Sequence, residues 1–491
     1  MITSSKPDYD YIIAGGGSAG SVLARRLAED RDVRVLLIEA GPDDRDRPEI
    51  HEAARWVPLL SGAYDWGYHY APTPEVAGRR IHIPRGRVLG GSSSINAMMW
   101  YRGHPSDYDA WEEAGAAGLN FRTLLPFFRR AEDWEGGATA LRGAGGPMRI
   151  ERPKDPHPIA RALIEAAARL GLPVQDDLNG PSNLGAALSN HTMRGGERWS
   201  VARGYLWPAA GWPNLTILTR SLVLDLTFEG QRCTGLRHVV DGALVESRAA
   251  REVICSLGAF ATPRLLWLSG IGDPADLARI DVPVRAALPG VGRNFQDHPL
   301  LMGINFRARA PLGPVRDNGG GAMMNWCSRP DLAAPDLHAF VVQGPHAGPE
   351  IAARHDLAGD VFAISPGLMR CRSIGHVRPL GPGIDGALEI QPNFLAEPAD
   401  LEALVAAVDF VMDMAETPPL AALIERPAAP ERRLSRHEAI GFIREACATF
   451  YHCCGTAKMG RDPLAVVDET LRVHGLDNLR IVDASVIPVM P

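Results

Sequence analysis

The first forty residues constrain the fold of this chain more than any other stretch. Tyr9–Ala14 is a short apolar run, suited to a strand buried on both faces. It enters Gly15-Gly16-Gly17-Ser18-Ala19-Gly20, a G-x-G-x-x-G pattern. The spacing predicts an amphipathic helix over residues 21–29, with Val22, Leu23 and Leu27 facing inward. A second strand is expected over residues 33–38, ending at Glu39 and Ala40, with Glu39 19 residues after Gly20. Each part of a βαβ unit is in register.

The physics of that unit points to a dinucleotide. Gly15 permits the tight turn, Gly17 lets a pyrophosphate approach the backbone, and Gly20 allows close helix–strand packing. Ser18 and Ala19 lie in the turn that leads into the helix, whose N-terminus offers free N–H groups and the positive end of the helix dipole to phosphates. Glu39 is placed to accept hydrogen bonds from ribose hydroxyls, and its charge would repel a 2′-phosphate, which argues against NADP. FAD and NAD both present an ADP moiety, so the motif alone leaves them open.

Composition narrows the alternatives. A 491-residue chain allows two or three domains. With 46% hydrophobic residues it has ample material for a core, which excludes disorder for most of its length. A net charge of −7 offers no basic excess for a phosphate backbone, so no nucleic-acid partner is expected. Seven cysteines show neither the dense pairing of a disulfide scaffold nor a CxxC pair, and no metal site is expected. Adjacent Cys453 and Cys454 read as small buried residues. The first residues lack the pattern of a secretory leader, and no apolar run reaches the length of a membrane span. A cytoplasmic location is the expectation.

A second glycine-rich segment lies in residues 84–109, PRGRVLGGSSSINAMMWYRGHPSDYD. Gly90-Gly91-Ser92-Ser93-Ser94 has too little bulk to pack a core by itself, while its N–H and hydroxyl groups suit a polar or phosphorylated ligand. A flexible linker would not run straight into an apolar NAMMWY.

Together with the first segment, three further blocks resemble one family. They are GRVLGGSSSINAMMWYRG, then SLGAFATPRLLWLSGIG followed by VGRNFQDHP, and finally YHCCGTAKMG with VVDETLRVHGLDNLRIVDASVIP. The chain resembles the glucose-methanol-choline (GMC) flavoprotein oxidoreductases, and most of all their choline-dehydrogenase-like and aryl-alcohol members. The resemblance spans the chain from end to end. It implies an FAD enzyme that oxidises a primary alcohol, and a fold of the α/β class. The expected fold has a Rossmann-like FAD-binding domain in three stretches (1–155, 198–299, 439–491). A substrate domain with an antiparallel sheet occupies 156–197 and 300–438. Family members that attach FAD covalently often carry a His where this chain has Ile95, so non-covalent FAD is expected. The resemblance further implies that Val88, Gly91, Asn96, Ala97, Met98 and Met99 lie along the FAD. It places Val223 at the adenine and Asp483 and Ala484 near the ribityl and pyrophosphate.

Alcohol oxidation by a flavin needs a base of suitable pKa within reach of the hydroxyl. His452, in YHCCGTAKMG, sits where the family keeps its catalytic His and is the expected base. His298 in QDHP and His474 in VHG are read as structural. Met323, Met324 and Trp326 are candidates for an apolar pocket, and the run after QDHP has no acid that would hold choline, which favours a neutral alcohol.

Two departures stand out. Cys453 replaces the Pro that commonly follows the catalytic His, and the sequence stops at Pro491, where relatives continue. No second catalytic partner is therefore assigned, and a shortened, inactive family member is one alternative. A cyanohydrin lyase of the same fold is another. The partners expected are a small alcohol and an electron acceptor, oxygen or otherwise.

Overall fold

The computed structural model describes residues 8–491. The reading of the leaderless start falls partly on residues 1–7, which lie outside the described residues. Among the described residues no helix is long and apolar enough to cross a membrane.

Strand β1, Tyr9–Ala14, forms the middle of a parallel sheet because Ile12, Ile13 and Ala14 are buried on both sides. It pairs in parallel with β2, Val35–Ile38, and with the strand Ala243–Cys255, so that Ile12 faces Leu36 and Val253. Leu215–Leu218 continues the sheet beyond β2, and Leu479–Ile481 continues it beyond Ala243–Cys255. The strand Ala243–Cys255 is long enough to serve two purposes. Its second half lies in the parallel sheet, while its first half pairs antiparallel with Arg232–Val240, which in turn pairs with Ser221–Glu229. The expected α/β class, with a parallel dinucleotide sheet, is the architecture found.

Two details of the first unit differ from expectation. Helix α1 runs Ser18–Ala28, starting a turn earlier, and its buried residues are Gly20, Ser21, Ala24 and Ala28. Val22, Leu23 and Leu27 are only partly buried, on its flanks. Close approach is the cause: a Cβ on Gly20 would stand 1.9 Å from the Gly15 carbonyl oxygen, so only small side chains fit beneath the helix. Strand β2 begins at Val35 because the Val33 carbonyl accepts from Asn214 Nδ2 at 2.8 Å and the Val33 N–H closes a turn to Asp30.

The second sheet is antiparallel. Its order is Ile424–Ala429, Asn305–Ala308, Val361–Leu368, Leu337–Val342, Ala322–Trp326 and Gly185–Leu188. The helix Pro398–Glu416 packs on this sheet. Alternation along Ala322–Trp326 sends Trp326 to that helix, where it stacks on Phe410 with centroids 5.1 Å apart. Met324 is on the same face, and only Met323 of the three predicted pocket residues reaches a cavity. Leu388–Gln391 lies outside this sheet and pairs with His376–Pro379 in a separate ribbon.

A short ladder joins the two halves of the molecule. Pro299–Leu301 pairs antiparallel with Cys447–Thr449, and Gln296 bridges Cys454. From Pro299 back to Gln296 is three steps, while Thr449 on to Cys454 is five. The surplus residues bulge, with Tyr451 at φ 68°, and carry His452 on the bulge. Buried Asp297 fixes it. One carboxylate oxygen accepts from the His452 N–H at 2.8 Å; the other accepts from the Tyr70 hydroxyl at 2.6 Å and from the Thr449 hydroxyl.

Replacing Asp297 with Ala leaves these three donors buried without an acceptor. The expected loss is about 3 kcal/mol of folding stability, read as a lower denaturant midpoint. A midpoint equal to that of the native chain would show the Asp297 bonds to be dispensable.

Candidate active site

The glycine turn brings Gly15 under the next strand, where a Cβ would lie 2.4 Å from the Ser256 carbonyl oxygen; its φ of +103° also suits glycine alone. Gly17 is different. It begins α1 without any side-chain cap, and the nearest atom to a Cβ built there is 3.9 Å away. The first N–H groups of α1, at Ser18, Ala19 and Gly20, have no partners within the helix and open into this free space. Gly91, from the second glycine segment, closes the other side: a Cβ on it would stand 2.7 Å from Gly17 Cα. The two glycine-rich segments meet here because neither carries a side chain.

Glu39 stands beside the turn, 6% exposed. One carboxylate oxygen accepts from Gly16 N at 2.9 Å, and the other accepts from Gly41 N at 2.8 Å. Burial raises its pKa to about 7, against the lowering effect of those bonds. Next to it, Ala40 and Val223 line a cavity of about 340 Å³. The sequence of contacts is then continuous: this cavity, Glu39, Gly16, the α1 terminus, and Gly91 with Ser92. Ser92 lines a second cavity, of about 560 Å³, which holds the candidate chemistry-bearing residues.

Asn96, Ala97, Met98, Met99 and Ala484 line that second cavity. Their backbone is held from several directions. The Ala97 carbonyl accepts from Asn318 Nδ2 at 2.6 Å, and the Met98 carbonyl accepts from Thr192 N at 2.8 Å. Asn96 Oδ1 accepts from Arg198 Nη1 at 2.8 Å. Val88 is placed otherwise, fully buried against Ile50, Leu59 and Ile95 rather than on a cavity wall. The Asp483 carboxylate is also engaged elsewhere: it accepts from Gly258 N, the Thr262 hydroxyl and Ser485 N, tying the last strand to the helix Gly258–Leu268.

His452 opens onto the cavity, and His298, read from the sequence as structural, stands against it. The two Nδ1 atoms are 2.9 Å apart, and His298 lines the same cavity. Phe450 stacks on His452 at 5.5 Å and touches His338 and Phe340, which in turn reaches His346. Enclosure by protein lowers the pKa of His452 to about 4, with the Arg85 charge a lesser cause. The same burial lowers His338 to about 3, His346 to about 4, and His298 well below its usual value. The ring of His452 is open to the cavity, yet the cavity is walled by protein, which is why desolvation dominates. All four imidazoles are neutral near pH 7.

Asn325 Nδ2 donates to the Asn183 carbonyl at 2.7 Å, which turns its Oδ1 towards His338 Nδ1, 2.6 Å away. His338 therefore carries its proton on Nδ1 and presents Nε2 as an acceptor. One carboxylate side chain, Asp107, lines the cavity among the described residues. It is engaged by Arg370 at 2.5 Å and by His104 N at 2.7 Å. Cys453 and Cys454 are buried free thiols, with Cys453 pushed up to about 12 by burial. His474 is placed away from the cavity, its Nε2 3.2 Å from the Gly460 carbonyl oxygen.

His338, His346, Phe340 and Phe450 were not singled out from sequence. The alternation of Leu337–Val342 holds the one available signal, a polar His338 two residues before Phe340 on an otherwise apolar strand. Nothing local marks His298, because its neighbour is 154 residues away.

An uncapped helix start, a cradle that a Cβ would fill and a carboxylate beside the turn fit the phosphates and ribose of FAD. The long cavity beyond Ser92 fits its ring end. Comparison with known proteins agrees. The family models described as GMC oxidoreductase match residues 9–300 and 372–491. The chain is 37% identical to human (Homo sapiens) mitochondrial choline dehydrogenase, over 99% of this chain and 87% of that protein. It is 36% identical to the oxygen-dependent choline dehydrogenase of Paraburkholderia phytofirmans, over 98% and 90%. The crystal structure of pyridoxine 4-oxidase from Mesorbium loti superposes with a TM-score of 0.94 at 38% identity, covering 98% of this chain and 95% of that one. With its fold, its cradle and both halves of the sequence in agreement, the chain belongs to the GMC oxidoreductase family and is an FAD-dependent alcohol oxidase or dehydrogenase.

Proposed function

We propose that this chain oxidises a neutral primary alcohol to its aldehyde, with His452 as the base that takes the hydroxyl proton. One observation carries the reading: a neutral imidazole opens onto the cavity, its backbone N–H held by Asp297 and its Nδ1 by His298. A base must be unprotonated before it acts, and the lowered pKa keeps His452 so at every pH well above 4. FAD, held non-covalently, supplies at its N5 the acceptor for the hydride that leaves the carbinol carbon.

In this reading Gly15, Gly17, Ser18, Ala19 and Gly20 hold the pyrophosphate, and Glu39, Ala40 and Val223 hold the adenosine. Val88, Gly91, Asn96, Ala97, Met98, Met99, Asp483 and Ala484 flank the remainder, Val88 and Asp483 by supporting the backbone around it. Cofactor binding falls to stretches 1–155, 198–299 and 439–491, and substrate binding to 156–197 and 300–438. The neutral substrate follows from charge. Asp107 is already paired, while Arg85, Arg102 and Arg370 also line the cavity, so a quaternary ammonium would meet no unpaired carboxylate side chain.

Replacing His452 with Ala is expected to slow turnover about 10²- to 10⁴-fold with flavin content unchanged; near-native turnover would sink the base assignment. In the native enzyme, flavin reduction at saturating alcohol stays level from about pH 8 to 5 and falls as His452 protonates near 4. In an anaerobic panel monitored by flavin bleaching, neutral primary alcohols act faster than choline. Faster bleaching by choline overturns the neutral-substrate reading.

Glu39 gives a separate test. In the cofactor-free protein it titrates near 7, and only its ionised form accepts from both ribose hydroxyls. Below that pH a proton must leave on binding, so the FAD dissociation constant rises by roughly tenfold per pH unit and is flat above about 8. Glu39→Gln abolishes the slope. A native dissociation constant that does not vary with pH removes Glu39 from the ribose.

A further inference from the structure

Two neutral imidazoles with their Nδ1 atoms 2.9 Å apart share one proton: one ring donates and the other accepts. Which ring donates decides what His452 can do. If His298 donated, the proton of neutral His452 would lie on Nε2, and its outer nitrogen would be a donor unable to take a proton. If His452 donates, its Nε2 is bare and basic.

The surroundings of His298 favour the second arrangement. Its ring is buried, with 4% of the residue exposed. The backbone of Met369 acts on it in the direction that raises proton affinity, as a carbonyl does when it faces a ring N–H. Nε2 makes no hydrogen bond of standard geometry, to Met369 or to any other group. With Nδ1 turned to His452, the ring nitrogen available to face that carbonyl is Nε2. A proton on Nε2 of neutral His298 leaves its Nδ1 as the acceptor. The position of His298 is set rigidly, since it precedes the strand Pro299–Leu301 and its carbonyl accepts from Phe450 N at 3.0 Å. The Asp297 carboxylate, one residue away, holds the His452 backbone.

We infer that His298 is a positioning residue for the reaction: its Nδ1 accepts the Nδ1–H of His452 and so fixes the tautomer whose free Nε2 faces the cavity. The inference rests on the reading of His452 as base. When an alcohol hydroxyl gives its proton to His452 Nε2, the imidazolium keeps its Nδ1–H bond to His298, which stabilises the charge as it forms. No further group gains or loses a proton, and the electron pair of the C–H bond leaves with the hydride.

The test is anaerobic stopped-flow reduction of the FAD-loaded enzyme. The probe is the neutral primary alcohol that bleaches the native flavin fastest, benzyl alcohol being the first tried. His298→Leu cannot accept a hydrogen bond; it is expected to lower the limiting reduction rate about 10- to 100-fold. The alcohol dissociation constant and the flavin spectrum should stay within about twofold of native, since His298 acts through His452 rather than by binding. His298→Asn, whose Oδ1 can occupy the acceptor position, restores the rate to within about threefold of native. In a His452→Ala background, His298→Leu makes no further difference, because the two residues act as one unit.

A native rate in His298→Leu overturns the inference, as do losses that multiply in the double variant. Should His298→Leu fail to hold flavin, the Asn variant decides alone: a slow rate with intact flavin overturns the proposal, and a near-native rate supports it. A slow His452→Ala beside a fast His298→Leu removes only the role of His298. A fast His452→Ala removes the base assignment itself.

Discussion

The carboxylate of Asp297 is the interaction on which the site depends. It stands where the antiparallel sheet meets the chain segment returning towards the parallel one, and it binds a hydroxyl from each side as well as the His452 N–H. Burial raises its pKa, while Thr449 and Tyr70 oppose that shift by donating to it. Beyond His452 the chain runs beside the last strand's exit, with Gly455 N bonded to the Ala484 carbonyl and Ala457 N to that of Ser485. Thr456 fastens the same segment to the helix Gly258–Leu268 through the Ala259 carbonyl. The bulge bearing His452 is thus held on both flanks, by the substrate sheet before it and by the dinucleotide sheet after it. An imidazole carried on a free loop would lose orientation; this one has its backbone fixed before any substrate arrives.

The electrostatics of the cavity follow from how it is enclosed. Burying imidazoles beside aromatic rings penalises their charged forms, and no free carboxylate compensates. The result is a set of neutral rings that offer lone pairs and N–H groups, suited to a hydroxyl. Acceptance of a proton by His452 is then favourable only while negative charge develops on the substrate oxygen or while a partner shares the new charge. The closeness of His298 matters for that reason: a carboxylate in its place would instead raise the pKa of His452 and favour the imidazolium before any substrate arrives.

Much of this was legible in the sequence because it is local. The strand, glycine turn and Glu39 lie within one run of chain, and their spacing alone specifies the turn and the carboxylate beside it. What escaped was set by tertiary distance. Val22, Leu23 and Leu27 looked like the buried face of α1, but the helix lies so near β1 that the small residues Gly20, Ser21, Ala24 and Ala28 are the ones buried there. Met324 and Trp326 seemed as good for a pocket as Met323, until the strand's alternation gave them to the helix Pro398–Glu416. His298 and His452 meet only because two distant segments pair and one of them bulges, and no periodicity within either segment reports that.

The meeting of Gly17 and Gly91 explains why two glycine-rich segments are needed where one would make a turn. An open helix start attracts anions, but it leaves them facing solvent. Bringing a second backbone within van der Waals range of the first turns an exposed terminus into a walled groove, and any side chain on Gly91 would collide with Gly17. The same second segment then continues through Asn96 and Met99 to the cavity where His452 waits. The walled groove and the near wall of the cavity are therefore built by one stretch of chain. A substitution at Gly91 should disturb the distant chemistry through the backbone of Asn96 to Met99, even though residue 91 touches no reacting atom.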